Sequence, residues 1–307
     1  MASYLITGGT GLIGSALIER LLSDENQVSV LTRDPQQASK KLPDNIKLIR
    51  QLQELPRDYP IDYVINLAGE PIADKRWSQS QKQKLWSSRI TLTADLVAWL
   101  KLQKKLPRAL ISGSAIGWYG DGQDRLLTER SSAACEYTHT LCQAWEEAAS
   151  ELTDQGVRVC IFRTGLVVSD RGGFLDKLLL PFKCGLGARL GNGSQYMSWI
   201  HIEDMVRALI YLIDDHKAMN TGQSRPVGIY NLTSPTPVTN HAFTKILAKQ
   251  LGRPAFLIAP APVLRLLLGE MAGLLITGQR VKPEKLLTEG FSFHYSTLDL
   301  ALINVLR

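Results

Sequence analysis

The chain has 307 residues, of which 45% are hydrophobic and 21% charged, with a formal net charge of +6. That is enough for one large domain with a sizeable core, or a large domain plus a small one, and the composition is ordinary for a soluble globular protein. The densest basic run, Lys101–Arg108, reads as a solvated helix end, so nucleic acid is not an expected partner, while the basic balance suits an anionic ligand such as a phosphorylated cofactor.

Four cysteines (Cys135, Cys142, Cys160 and Cys184) form no CxxC pair and no zinc-spaced cluster, which points to a reduced, cytoplasmic protein. The opening MASYLITGGTGLIG runs directly into a strand and a glycine loop and leaves no room for a signal peptide. The apolar stretch Phe256–Gly278 carries Arg265, Glu270 and two early prolines, so it reads as a packed helix and not a membrane span.

In chain order, Tyr4–Thr7 is a short apolar run that ends in a glycine turn, and Leu12–Leu22 has helical periodicity. Strands follow at Val28–Thr32, Ile46–Ile49 and Tyr63–Asn66, then a long helix at Gln79–Leu102 and a fifth strand at Ala109–Ser112. A helix at Thr138–Leu152 precedes a sixth strand at Val157–Phe162. Continuous apolar strands alternating with helices predict an α/β fold, a Rossmann-like doubly wound parallel sheet. The composition shifts after Leu166, so residues 1–166 are expected to form the nucleotide-binding domain and 167–307 a smaller, irregular substrate lobe with a helical extension, parts of which return to the sheet. In that half, helices are predicted at Phe174–Phe182, Glu203–Ile213, His241–Leu251 and Val263–Ile276, and a strand at Gly228–Leu232.

The stretch TGGTGLIG, Thr7–Gly14, places Gly8, Gly11 and Gly14 between a strand and a helix. A turn of positive φ, close backbone approach to a pyrophosphate and tight helix packing each require glycine there, and the helix start offers free N–H groups to phosphates. Thr7, Gly8, Gly11, Leu12, Ile13 and Gly14 are therefore expected to hold a dinucleotide. After the second strand stand Thr32 and Arg33, where an NAD site usually carries an acidic residue. An arginine there suits a 2′-phosphate, so NADP(H) is the expected cofactor.

Further motifs extend the pattern. INLAGEPI (Ile65–Ile72) resembles the asparagine-alanine-glycine motif of short-chain dehydrogenases, which implies cofactor contacts from Leu67, Ala68 and Gly69. SGSAIGWYG (Ser112–Gly120) resembles the serine-rich end of the fifth strand in the extended members, which implies a cofactor contact at Ser112 and a substrate-oxygen contact at Ser114. RTGLVVS (Arg163–Ser169) resembles the segment beside the nicotinamide, which implies contacts from Arg163 and Leu166. SWIHIEDMVRAL (Ser198–Leu209) resembles the helix start that closes the substrate lobe in nucleotide-sugar epimerases. With Arg76-Trp77, Ser88-Arg89, LCQAWEEAA, GLGARLGNGSQYMSWIHIED and the final GFSFHY, nearly the whole chain is similar to the atypical extended short-chain dehydrogenases known as epimerase family proteins.

The resemblance also exposes a gap. Its general pattern has a catalytic tyrosine, a lysine four residues later and often a glutamate four beyond that. Glu146 fits the last place, which puts Cys142 at the lysine and Thr138 at the tyrosine. A threonine hydroxyl is far too weak an acid for the tyrosine's task, and a cysteine supplies no fixed positive charge. Tyr137 lies one residue off, about 100° around a helix, and is expected to point away from the cleft. Tyr119, near the expected nicotinamide, is the alternative proton carrier, against a packing role. Cys142 as a thiolate near Arg163 stands against a buried core cysteine.

On the substrate side, Glu70, Trp118, Gln195, Trp199 and His201 are candidates. GNGSQYMSW (Gly191–Trp199) reads equally as a ligand-facing loop and as a self-packed surface loop. His201 with Asp204 reads as a lobe-ordering or substrate-facing pair, and no metal is expected. Two functions stay open: an NADP(H)-dependent oxidoreductase or epimerase on a polar, nucleotide-sugar-like substrate, and a catalytically silent NADP(H)-binding sensor. A homodimer through the two helices of residues 79–102 and 138–152 is left open by the resemblance.

Overall fold

The sheet is built from segments that are apolar on both faces. A computed structural model of the chain describes residues 1–214 and 225–307. Its seven-stranded sheet contains β1 (Ser3–Thr7), β2 (Gln27–Leu31), β3 (Lys47–Ile49), β4 (Tyr63–Asn66), β5 (Ala109–Ala115), β6 (Arg158–Thr164) and β7 (Gly228–Leu232). All neighbours are parallel, in the order β7-β6-β5-β4-β1-β2-β3. Every residue of β1 and of β4 is buried, as a parallel sheet covered by helices on both sides requires. Successive side chains point to opposite faces. Thus Ile6 joins a core with Leu17, Ile18 and Leu209, while Leu5 joins a second core with Val64, Leu96 and Leu100.

Helix α1 (Leu12–Ser23) follows β1 and buries Leu17, Ile18 and Leu21. The predicted helix at 79–102 is interrupted. It comprises α2 (Gln79–Trp86), a π-helical turn at Ser87–Thr91 and α3 (Leu92–Lys101). Helix α4 (Tyr137–Ser150) buries Leu141, Cys142, Trp145 and Glu146 against the sheet. The basic run after α3 is met by the protein's own carboxylates: Lys101 pairs with Glu151, Lys104 with Asp58, and Lys105 and Arg108 with Asp62.

Beyond β6 the chain builds a separate core from Val168, Leu175, Phe182, Trp199, Phe243, Leu247, Leu298 and Leu302. Helices of this half include α5 (Phe174–Lys183), α6 (Ile202–Ile213), which packs on the sheet beside Ile6, α7 (Asn240–Gln250), α8 (Ala261–Leu268) and α9 (Leu298–Val305). The expected helix at Val263–Ile276 is corrected. It begins at Ala261 and breaks at Gly269, whose φ of 61° cannot continue a right-handed helix. Among the described residues no helix is long and apolar enough to cross a membrane.

The sheet order reverses between β1 and β4. In open α/β sheets a crevice forms at the carboxyl ends of the strands at such a reversal, and ligands bind there.

Candidate functional site

The glycine loop lies at that reversal. Gly8 has φ 68°, and a Cβ on it would stand 2.7 Å from the Leu67 carbonyl carbon. A Cβ on Gly14 would stand 2.4 Å from the Gly8 oxygen, so α1 is pressed onto the turn closer than any side chain permits. Gly11 is the N-cap of α1, with no side-chain cap on the first-turn amides. Those N–H groups are the donors an anion can use. Leu12 and Ile13 are half-buried beside them.

Beneath the loop runs a closed polar floor. Thr7 Oγ1 donates to Asn66 Oδ1 at 2.7 Å and accepts from the Leu67 and Ala68 amides. Asn66 Nδ2 donates to Thr93 Oγ1 and Ser112 Oγ, and Trp145 Nε1 also donates to Thr93. Thr7 and Ser112 are fully buried, and their side chains fix the ends of β1, β4 and β5. Leu67, Ala68 and Gly69 remain at the rim, with Gly69 exposed.

At the end of β2, Asp34 is spent as an N-cap, accepting from the Gln37 amide. Arg33 is free to turn: its side chain is 92% exposed, and its Nη1 stands 3.9 Å from Glu70 Oε2. So exposed a pair contributes little to stability. Thr32 is half-buried and accepts weakly from the Asp34 amide. A cavity of about 630 Å³ extends from Leu31 along Arg50, Gln51, Thr91 and Asp95.

The dyad positions are occupied by packing. A Cβ on Gly117 would stand 3.1 Å from Thr138 Cβ, so Thr138 is pressed against the loop after β5. Cys142 is buried. Desolvation, with a smaller effect of Glu146, pushes its thiol up to about 11, so it is a neutral core thiol. Below it, Arg163 Nε and Nη2 donate to the two Glu146 oxygens, each at 2.8 Å. Ser114 Oγ donates to Glu146 Oε1 at 2.6 Å. The β5–β6 register places Ser114 directly opposite Arg163. Burial opposes the Arg163 charge, but Glu146 outweighs it and holds the pKa above its ordinary value. The Arg163 guanidinium also stacks 3.5 Å from the centroid of the half-buried Trp118.

Tyr119 is fully buried and donates to Asn231 Oδ1 at 2.8 Å. Burial raises its pKa, against the lowering by Arg163 and Asn231. In this structure the Tyr119 hydroxyl is turned to Asn231, and Arg163 Nε and Nη2 to Glu146. Ser114, almost fully buried, has its proton committed to Glu146. Leu166 is half-buried and pairs with Trp199 in a short parallel ladder.

The segment 191–199 packs against distant parts of the chain: Tyr196 and Met197 pair with Thr239 and Val238, and Trp199 with Leu166. Trp199 is fully buried and donates to the Thr236 carbonyl. Gln195 Nε2 donates to the Leu190 and Leu275 carbonyls. His201 caps α6, its Nδ1 accepting from the Glu203 amide, while Nε2 meets Asn304 and the ring stacks on Tyr295. Burial lowers the His201 pKa. These three side chains are buried and tie segments of the lobe together. Among the described residues no group of three or more His, Cys, Asp or Glu could hold a metal ion.

The sequence motifs assign no site role to Tyr137 or Arg89. Tyr137 lines a cavity of about 430 Å³ with Trp77, Lys82, Trp86 and Glu270. Arg89, in the π-helical turn, donates to the Glu70 carbonyl at 2.9 Å and packs 5.3 Å from the Trp145 ring. The Ser88-Arg89 pair was a visible signal; the extra residue per turn that aims Arg89 at Glu70 was not.

Against known proteins, the model of the NAD dependent epimerase/dehydratase family matches residues 4–232, and a domain of unknown function (DUF1731) matches residues 259–305. An epimerase family protein of Mycobacterium bovis is 41% identical over 303 residues, covering 98% of this chain and 96% of its own. One from Staphylococcus aureus is 35% identical over 308 residues, covering 100% of both. The crystal structure of the human epimerase family protein SDR39U1 with NADPH superposes with a TM-score of 0.88 at 28% identity, covering 99% of this chain and 98% of that one. MoeE5 in complex with UDP-glucuronic acid and NAD shares the fold, with a TM-score of 0.74 at 21% identity over 98% of this chain and 97% of its own.

Proposed function

Because this chain belongs to the NAD dependent epimerase/dehydratase family, we propose that it is an NADP(H)-dependent oxidoreductase or epimerase acting on a polar, nucleotide-sugar-like substrate. The observation that carries the reading is the glycine turn, where the contacts of Gly8 and Gly14 leave room for backbone alone and the α1 amides are uncapped. Gly8, Gly11, Leu12 and Ile13 would hold the pyrophosphate, Thr32 and Arg33 the phosphorylated ribose, and Leu67, Ala68 and Gly69 the adenosine side. NADPH in the human relative's structure supports the choice of cofactor. The bound cofactor supplies hydride exchange at its nicotinamide ring; the chain supplies binding, orientation and proton handling.

The chain's own contribution follows from what is buried. The Glu146–Arg163 pair and Ser114 hold the end of β5 against α4. That fixes the wall along which a substrate lies. Trp118 seals the guanidinium from above. Calorimetric titration with NADPH and NADH tests the reading. Tighter binding of NADPH agrees with it, and binding of neither removes it.

A second reading rests on the same positions. Thr138 is a half-buried threonine and Cys142 a neutral thiol, so the acid and the fixed charge of the usual dyad are missing. An NADP(H)-binding sensor, whose output is its state of occupancy, needs neither.

A further inference from the structure

Tyr137 opens α4 one residue ahead of the place where the resemblance asks for a tyrosine. Its ring lies 5.1 Å from that of Trp77, and the Lys82 ammonium stands 4.7 Å from its centroid. Lys82 in turn is ion-paired with Glu270 from the C-terminal segment. The Tyr137 hydroxyl is buried and has no hydrogen-bond partner among the described residues. Leaving such a group unsatisfied costs about 1–3 kcal/mol, and phenylalanine would fill nearly the same volume without that cost. A phenol kept at a cavity wall under those terms points to a ligand that supplies the missing partner.

The cavity's chemistry narrows that ligand. Trp77, Trp86 and Tyr137 offer flat apolar faces, while Lys82, Gln83 and Glu270 give polar groups at the rim. Flat rings with a few convergent polar groups suit the C–H face and the hydroxyls of a sugar ring. Arg89, which bonds the Glu70 carbonyl, also acts on Tyr137 through its charge. Burial raises the Tyr137 pKa, with Lys82 and Arg89 working against that, so the hydroxyl carries its proton at neutral pH and is a donor.

Resting on the oxidoreductase or epimerase reading above, we propose that this cavity seats the sugar ring of the substrate and that the Tyr137 hydroxyl, not the side chain at 138, hydrogen-bonds a substrate oxygen. Thr138 is already used against Gly117. Ligand access to the buried hydroxyl requires a side-chain shift at this wall, and we assign it to Lys82, a flexible stem standing over the phenol ring and 30% exposed.

The test compares the affinities of UDP-glucose and UDP for the wild-type protein, Tyr137→Phe, Trp86→Ala and Thr138→Val, with NADPH affinity measured in parallel. The wild-type protein is expected to bind UDP-glucose more tightly than UDP. Tyr137→Phe should cut that ratio about five- to tenfold, the loss of one hydrogen bond. Trp86→Ala, at an exposed residue, should lower it too, and Thr138→Val should leave it unchanged. Thermal unfolding of Tyr137→Phe should fall at or above the wild-type temperature. A ratio unchanged in Tyr137→Phe, no preference for UDP-glucose in the wild-type protein, or a loss confined to Thr138→Val overturns the proposal. Failure of NADPH to bind would sink the cofactor reading separately, while the UDP-glucose ratio would still decide this one.

Discussion

Arg163 bonds both oxygens of Glu146 at 2.8 Å and presents its face to Trp118 at 3.5 Å, so one guanidinium is held on its edge and on its face beneath the candidate cleft. Both charges are almost fully out of water. A buried pair of this kind is strongly destabilised when one partner is removed, because the other charge is left without compensation.

Glu146→Ala should therefore lower the unfolding free energy by about 3–5 kcal/mol, read from urea denaturation with the slope unchanged. A loss under about 1 kcal/mol would show that water or a rearranged neighbour compensates Arg163, and that the pair does not organise the β5–α4 wall.

Arg33 makes a separable claim. Its side chain is exposed and only loosely paired with Glu70, so replacing it leaves the fold intact. Arg33→Ala should weaken NADPH binding about 10- to 100-fold, the worth of a charge-assisted bond to phosphate, and barely change NADH binding. Equal losses for the two cofactors would take the 2′-phosphate away from Arg33.

Tyr119→Phe separates packing from proton transfer. The hydroxyl is enclosed and spent on Asn231. Its removal should cost about 1–2 kcal/mol of stability by leaving Asn231 short of a donor, with NADPH affinity unchanged. A normal unfolding midpoint together with a steep fall in turnover would restore Tyr119 as the proton carrier.

Two thiols give a pH signature. Burial raises Cys142 and Cys160 from their ordinary 9.0 to about 11. The folded protein holds these protons more tightly than the unfolded chain does. Their contribution to stability is thus complete below about pH 9 and declines as the pH rises towards 11. Urea midpoints across that interval should fall for the wild-type protein and fall less for Cys142→Ala. At pH 8 the exposed Cys135 and Cys184 should react with a thiol reagent in the native state, and Cys142 and Cys160 only after unfolding. Rapid native labelling of Cys142 would show an open, activated thiol.

The parallel sheet and the glycine turn were legible because their signals are local. Apolar runs such as Tyr63–Asn66 set the strands, and Gly8 and Gly14 sit where only backbone fits. Side-chain direction was not local. Gln195 and Trp199 lie in a polar, aromatic stretch that suits a ligand, yet their partners Leu275 and Thr236 come from distant segments that no spacing reveals. Arg89 was hidden for a different reason: a π-helical turn shifts the helical phase, so a 3.6-residue count across 79–102 aims it wrongly. Tyr137 was set aside by the same arithmetic, which measures direction on α4 and takes no account of a second cavity beside Trp77. The break at Gly269 escaped because apolar residues continue on both sides of it.

The proposed hydride exchange on NADP(H) without the usual dyad is open to a direct test. The most direct measurement incubates the protein with NADPH deuterated on one face of C4 and a small-metabolite extract, then follows the label by mass spectrometry. Deuterium is expected to leave the cofactor for a polar, sugar-like metabolite. Label retained on protein-bound NADPH across the whole extract would contradict it and leave the sensor reading in its place.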